Sequence, residues 1–140
     1  MRAANYFFYY AYIGLVIVAG FWGAFINPDF DYRLLFSFDT NTLTDFQRIN
    51  MISQYRFLRA IELGFGVFSI LFVKNIFSER KFNRLFIFIM GAGVLSRITS
   101  ILMEGSPSGL MYFFLGFELV GVTVIYFYSR KLIEQHVITH

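Results

Sequence analysis

Five ionisable residues stand inside stretches that are otherwise apolar enough for a membrane: Arg56, Arg59 and Glu62 in one, Arg97 in the next and Glu118 in the last. A charge near the centre of a membrane helix costs roughly 2.5–3.5 kcal/mol on insertion scales, so a set of them persists only if they meet one another, line a wet cavity or hold a ligand. The residue types suit all three. A guanidinium offers a planar fork of donors and a carboxylate accepts two of them, so these groups can neutralise each other or jointly hold an anion. Three arginines against two glutamates leave a positive surplus, which a lipid phosphate, a carboxylate or a polyprenyl-phosphate headgroup would complete. The competing reading is a structural clasp that only fixes helix register, since buried ion pairs specify arrangement more than they add stability.

The other chemistry-bearing residues carry less. His136 and His140 are spaced i, i+4 with Glu134 nearby, but no third ligand stands on a rigid element, so no metal is assigned. The chain has no cysteine, which excludes disulfides, thiolate metal sites, iron–sulfur clusters and cysteine nucleophiles. No phosphate-binding loop and no His-Glu-x-x-His zinc signature occur. Ser96 beside Arg97 has no neighbouring histidine and reads as a packing serine. No catalytic residue and no cofactor are assigned, and the residues lean away from an enzyme.

The elements that must position the five charges follow from composition. With 57% hydrophobic, 21% aromatic and only 15% charged residues, the 140-residue chain reads as an integral membrane protein. Four spans of about 20 residues use most of its length, which predicts an all-α, four-helix membrane bundle forming a single domain over 1–140. The spans fall at about 6–26, 51–73, 85–103 and 110–128. The first stops at Asn27-Pro28-Asp29, because proline cannot continue the hydrogen-bond ladder. It reads as a retained span: Phe21, Trp22 and Phe25 occupy the place where a signal peptide needs small residues.

Residues 27–41 read as a polar connection, and Thr42-Leu43-Thr44-Asp45 as a box that starts the second helix. That helix, about 30 residues long if it runs to Val73, exceeds a bilayer core, so its first turns stand outside with Phe46, Ile49 and Ile52 at the interface. Residues 74–84 form a short basic connection. Residues 104–109 make a tight turn, with Ser106 as N-cap and Pro107 at the first helical position.

Lysine and arginine outside the spans are unevenly shared. One side receives Arg2, Lys74, Arg80, Lys81, Arg84, Arg130 and Lys131; the other receives Arg33 and Arg48 beside Asp29, Asp31, Asp39, Asp45 and Glu104. The positive-inside rule then puts both termini and the 74–84 loop in the cytoplasm. Tyr6, Tyr9, Tyr10, Tyr12, Tyr126 and Tyr128 fall near the inner interface as belt residues. The basic residues form no stripe interleaved with exposed aromatics, so nucleic acid is not an expected partner.

At 1.5 Å per residue, Arg59 and Glu62 lie about 12 and 16 Å from the outer end of their helix, Arg97 about 9 Å and Glu118 about 13 Å, so the four share a depth. Gly64 and Gly66 on the second helix and Gly91 and Gly93 on the third mirror one another, which predicts close approach of those helices; Gly116 and Gly121 flank Glu118. The first helix, with Gly14, Gly20 and Gly23 and no ionisable partner, closes the bundle.

Leu58-Arg59-Ala60 followed by Gly64 and Gly66, Leu95-Ser96-Arg97, Gly105-Ser106-Pro107 and Phe117-Glu118-Leu119 together resemble an uncharacterised family of small four-span bacterial membrane proteins, classed as a domain of unknown function. The resemblance covers roughly residues 5–130. It implies the four-span architecture, a bacterial inner-membrane location and intramembrane roles for Arg59, Arg97 and Glu118. Glu62 stands where the family pattern has an aromatic or small residue. No reaction, cofactor or substrate comes with the resemblance.

Three functions remain open on the sequence. The first is a binding or accessory protein whose outward-facing Arg/Glu pocket holds an anionic lipid, a small anion, a membrane partner or a second copy of the chain. The second is a proton- or anion-coupled transporter in which a glutamate changes protonation as an arginine swaps partners. The third is an enzyme acting on a lipid headgroup, with arginine on phosphate and glutamate as general base.

Overall fold

Every regular element in the computed structural model, which describes the backbone of residues 2–138 and the side chains of 3–133, is a helix. Helix α1 (Arg2–Phe21) runs on through a π-helical turn, Trp22–Ile26, that closes with the Asn27 N–H on the Trp22 carbonyl. Asn27 leaves helical geometry, at φ −145° and ψ 83°, and its side-chain oxygen accepts the Phe30 N–H at 3.0 Å, so it caps a new helix, α2 (Pro28–Phe36). Pro28 thus ends one helix and begins the next, where its fixed φ and missing donor are harmless. Asp29 and Asp31 in the first turn and Arg33 in the last match the helix dipole. The segment read from sequence as a polar connection is therefore helical over nine of its residues.

A short 3₁₀ turn at Thr40–Thr42 is capped by the Asp39 carboxylate. Helix α3 (Asp45–Leu71) then starts from a reciprocal box: the Thr44 hydroxyl accepts from the Gln47 N–H, and the Gln47 side chain accepts from the Thr44 N–H. The box lies two residues beyond the one expected at Thr42. After Phe72 the chain turns into α4 (Val73–Ser78), so the expected basic connection is largely helical. Glu79 is extended, and α5 (Arg80–Glu104) follows. Gly105, at φ 105°, adopts a conformation open to glycine and ends α5. Helix α6 (Gly109–Ile138) starts two residues later than expected, on the Ser108 carbonyl; Ser106 instead bonds the Tyr112 hydroxyl at 2.9 Å.

The chain divides into two compact units, a terminal one built from 1–12 and 69–140 and a central one from 13–68. In the terminal unit α4, α5 and α6 pack on one another. Its core gathers Tyr9, Ile76, Phe77, Phe86 and Ile125, with the Tyr9 ring 5.2 Å from those of both Phe77 and Phe86. Tyr9 is fully buried and donates to the Ser69 carbonyl at 2.7 Å, so it is a core residue rather than the belt residue the sequence suggested. Asn83 fastens α5 to α4 by donating to the Ile76 carbonyl.

In the central unit the close approach is between α1 and α3. A Cβ on Gly20 would come within 2.8 Å of the Leu63 backbone nitrogen, and one on Gly66 would run into Ile17. The sequence placed the tight contact between the glycine pairs at 64/66 and 91/93; Gly64, Gly91 and Gly93 each have open space where a side chain would begin.

Three helical stretches, Ala3–Ile26, Arg80–Glu104 and Gly109–Ile133, are long and apolar enough to cross a membrane. Helix α3 is not among them, because Asp45, Arg48, Arg56, Arg59 and Glu62 all lie on it.

Candidate functional site

The charged residues fall into two groups, one in each unit. In the central unit Tyr55, Arg59 and Glu62 share a face of α3 through the i, i+4 and i, i+3 spacings. Arg59 Nε donates to the Tyr55 hydroxyl at 2.8 Å, and one terminal nitrogen donates to Glu62 Oε2 at 2.6 Å. The other terminal nitrogen lies 3.6 Å from Asp31 Oδ2. The Tyr55 hydroxyl donates in turn to Asp31 Oδ2 at 2.9 Å, closing a ring of three side chains, Arg59, Tyr55 and Asp31, to which Glu62 is joined through Arg59. Arg59 is 14% exposed and Asp31 10%, so this ring is largely dry, while Glu62, at 47%, holds Arg59 from the exposed side. Gly23 makes the space, since a Cβ there would stand 2.7 Å from both Arg59 Cγ and Asp31 Oδ2. Arg56, one residue out of phase, donates to the Ala24 carbonyl beside the π-helical turn.

In the terminal unit Arg97 on α5 meets Glu118 on α6 through two parallel bonds, Nε to Oε2 at 2.8 Å and a terminal nitrogen to Oε1 at 3.1 Å. This fork-to-fork geometry is the strongest that a guanidinium and a carboxylate can make. Among the described residues the remaining terminal nitrogen reaches only the Met111 sulfur, at 3.6 Å, and a thioether is a weak acceptor. Arg97 keeps 37% of its side chain exposed, against 16% for Glu118.

All five residues singled out from sequence are thus engaged, Arg59 with Glu62, Arg97 with Glu118, and Arg56 with backbone. Two members of the central ring, Asp31 and Tyr55, were missed. Tyr55 stands four residues before Arg59, a legible spacing; Asp31 gave no signal, since an aspartate in a polar stretch is ordinarily solvated. Its inclusion changes the count: three carboxylates, Asp31, Glu62 and Glu118, now equal the three arginines in number, so the positive surplus counted on the sequence disappears, although Arg59 takes two of them and Arg56 none. The His136 and His140 side chains lie outside the described residues.

A third polar locus lies in the central unit beyond the first apolar stretch. Asn27, Asp29, Phe30, Arg33, Asn41 and Arg48 line a cavity of about 250 Å³. Arg48 clamps both oxygens of Asp29, at 3.2 and 3.0 Å, and the Thr40 hydroxyl donates to the same carboxylate. The Thr40 bond, then Arg48, hold the Asp29 carboxyl below its ordinary range. Asp39 is lowered as well, first by the Asn41 N–H and then by Arg33.

The described residues, all-helical in their regular elements and with three helical stretches long and apolar enough to cross a membrane, fit one class, the small helical membrane protein. Within that class the chain belongs to the family described as Domain of unknown function (DUF4345), whose model matches residues 6–129. No curated protein and no solved structure matches the chain.

Proposed function

We propose that this protein is a four-span bundle of a bacterial inner membrane, both termini cytoplasmic, that serves as a binding or accessory protein: Arg97, steadied by Glu118, receives an anionic oxygen from outside the chain. An anionic lipid headgroup supplies it most directly, and a small anion or an acidic residue of a membrane partner has the same chemistry. The observation that carries this reading is the open donor edge of Arg97, whose last nitrogen has a sulfur for company while over a third of the side chain is exposed. An uncovered guanidinium beside hydrocarbon is costly, and Arg97 lies seven residues before Glu104, about 10 Å along the helix, where a headgroup phosphate is within reach of a snorkelling side chain. Helix α3 is the remaining span, and Tyr55 and Glu62 on it, with Asp31 of α2, supply Arg59 internally with the partners that a charge in a bilayer needs.

Native mass spectrometry of the full chain released from mild detergent tests the proposal. Wild type retains anionic lipid, Arg97→Gln loses it, and Arg59→Gln keeps it in whatever fraction stays folded. Equal lipid retention by wild type and Arg97→Gln would refute the assignment.

A further inference from the structure

The cavity at the start of α2 has no residue in common with the Arg97–Glu118 pair, and its chemistry points to a ligand of its own. Two arginines, Arg33 and Arg48, line it against a single carboxylate, Asp29. That carboxylate is already occupied by Arg48 and Thr40, so its charge is spent inside the wall. Arg33 is held among the described residues only by Asp39, at 3.4 Å, with both side chains more than half exposed. Arg48 Nε is shut off from water with no acceptor, a donor left unsatisfied. Leaving a buried donor unpaired is costly, and an incoming oxygen would satisfy it after a small shift of the side chain. Asn27 adds an amide to the lining, and so does Asn41, whose amide donates to Asp39 at 2.9 Å and, like Arg33, would turn from that carboxylate to a ligand. Two guanidinium groups with amide donors around a small hollow are suited to phosphate, whose oxygens take several charge-assisted bonds at once.

The setting narrows the choice. Asn27 directly follows the membrane-length stretch Ala3–Ile26, which puts the cavity at headgroup level. Helix α2 is inverted for a water-facing helix: Asp31 is turned inward, while Phe30 and Leu34, spaced i, i+4, are exposed. Phe46 and Ile49, on the first turns of α3, are exposed too. A helix with that face lies on a bilayer surface with its apolar residues among the acyl chains.

We propose that the cavity lined by Asn27, Asp29, Phe30, Arg33, Asn41 and Arg48 is a phosphate-binding site at the membrane surface, taking the phosphate of a phospholipid headgroup or of a small soluble phosphate. Its volume of about 250 Å³ has room for a phosphate and a small group esterified to it. The site carries its own reporter: the ring of Phe30, in the cavity wall, lies edge-on to Trp22 at 6.0 Å, and Trp22 is the chain's single tryptophan.

The test is a Trp22 emission titration of the full chain in mild non-ionic detergent. Inorganic phosphate and a short-chain phosphatidylglycerol are the two probes, with sodium chloride at matched ionic strength as the blank. A saturable change is expected with at least one probe and not with chloride. Saturation by inorganic phosphate assigns the site to soluble phosphates; saturation by phosphatidylglycerol alone assigns it to the headgroup. Arg33→Gln, which gives up one exposed contact and leaves the fold in place, weakens binding about tenfold. Asp39→Asn, which releases Arg33 while keeping a cap for the 3₁₀ turn, strengthens binding, a sign that a purely structural role would not produce. No saturable change with either probe, or unchanged affinity in Arg33→Gln, overturns the proposal.

Discussion

Arg59 and Arg97 are the same residue on helices of similar length, and each has a glutamate within hydrogen-bond distance. Their surroundings separate them. Around Arg59 every side-chain nitrogen faces an oxygen, from Tyr55, Glu62 or Asp31, and a glycine on the facing turn brings the backbone up against the guanidinium stem. Around Arg97 one carboxylate serves two nitrogens, and the third is left to a thioether at an exposed edge. A saturated, enclosed guanidinium can only hold structure together; an unsaturated, accessible one can also recruit. An ionisable residue within an apolar helix therefore signals function through the donors its neighbours leave unfilled.

The largest contrast should come from removing each arginine. Arg59→Met strands the buried Asp31 and is expected to destabilise by about 3–5 kcal/mol. Arg97→Met, with its half-open pair, should cost only about 1–2 kcal/mol. Thermal melts of both in the same detergent, followed by circular dichroism, measure the gap, and equal losses would erase the distinction.

Next come the glycines. Gly23→Ala puts a methyl into Arg59 and Asp31 and is expected to cost about 1–3 kcal/mol, the usual range for overpacking. Gly93→Ala, four residues before Arg97 with open space at its Cβ, should instead gain up to about 1 kcal/mol from helix propensity. The two melting temperatures should move in opposite directions. Thr44→Ala removes the cap of α3, the helix carrying Arg59, and is expected to cost about 1 kcal/mol by the same melts.

The smallest effect is a pH limb. The Asp29 carboxyl is lower in the folded state than its unfolded value of about 3.9, so its contribution is complete above that value and is lost as pH falls through the folded one. A stability loss confined to pH below about 4 is expected, and Asp29→Asn should flatten it in acid titrations followed by circular dichroism.

What the sequence could and could not disclose follows from the range of the forces involved. Long apolar helices, the break at Asn27-Pro28 and the reversal at Gly105 are local features, written in consecutive residues. Cap positions were less legible, because Thr42-x-x-Asp45 and Thr44-x-x-Gln47 overlap and only the second carries the longer amide that reaches back. The side chains of the two ion pairs were legible by type. Their saturation was not: it depends on Asp31, 28 residues before Arg59, turned inward by a helix that the polar composition of residues 27–41 concealed. The burial of Tyr9 was hidden for a related reason, since a tyrosine near a span end looks the same whether it faces headgroups or, as here, Phe77 and Phe86.

The most direct measurement is the guanidinium ¹⁵N–¹H resonances of Arg59 and Arg97 in nanodiscs of neutral lipid, repeated with anionic lipid added and with Arg59→Lys and Arg97→Lys used for assignment. The account predicts that Arg97 shifts on addition of anionic lipid and exchanges its protons readily without it, while Arg59 stays protected and unmoved in both. An unperturbed Arg97, or a lipid-dependent shift at Arg59, would contradict it.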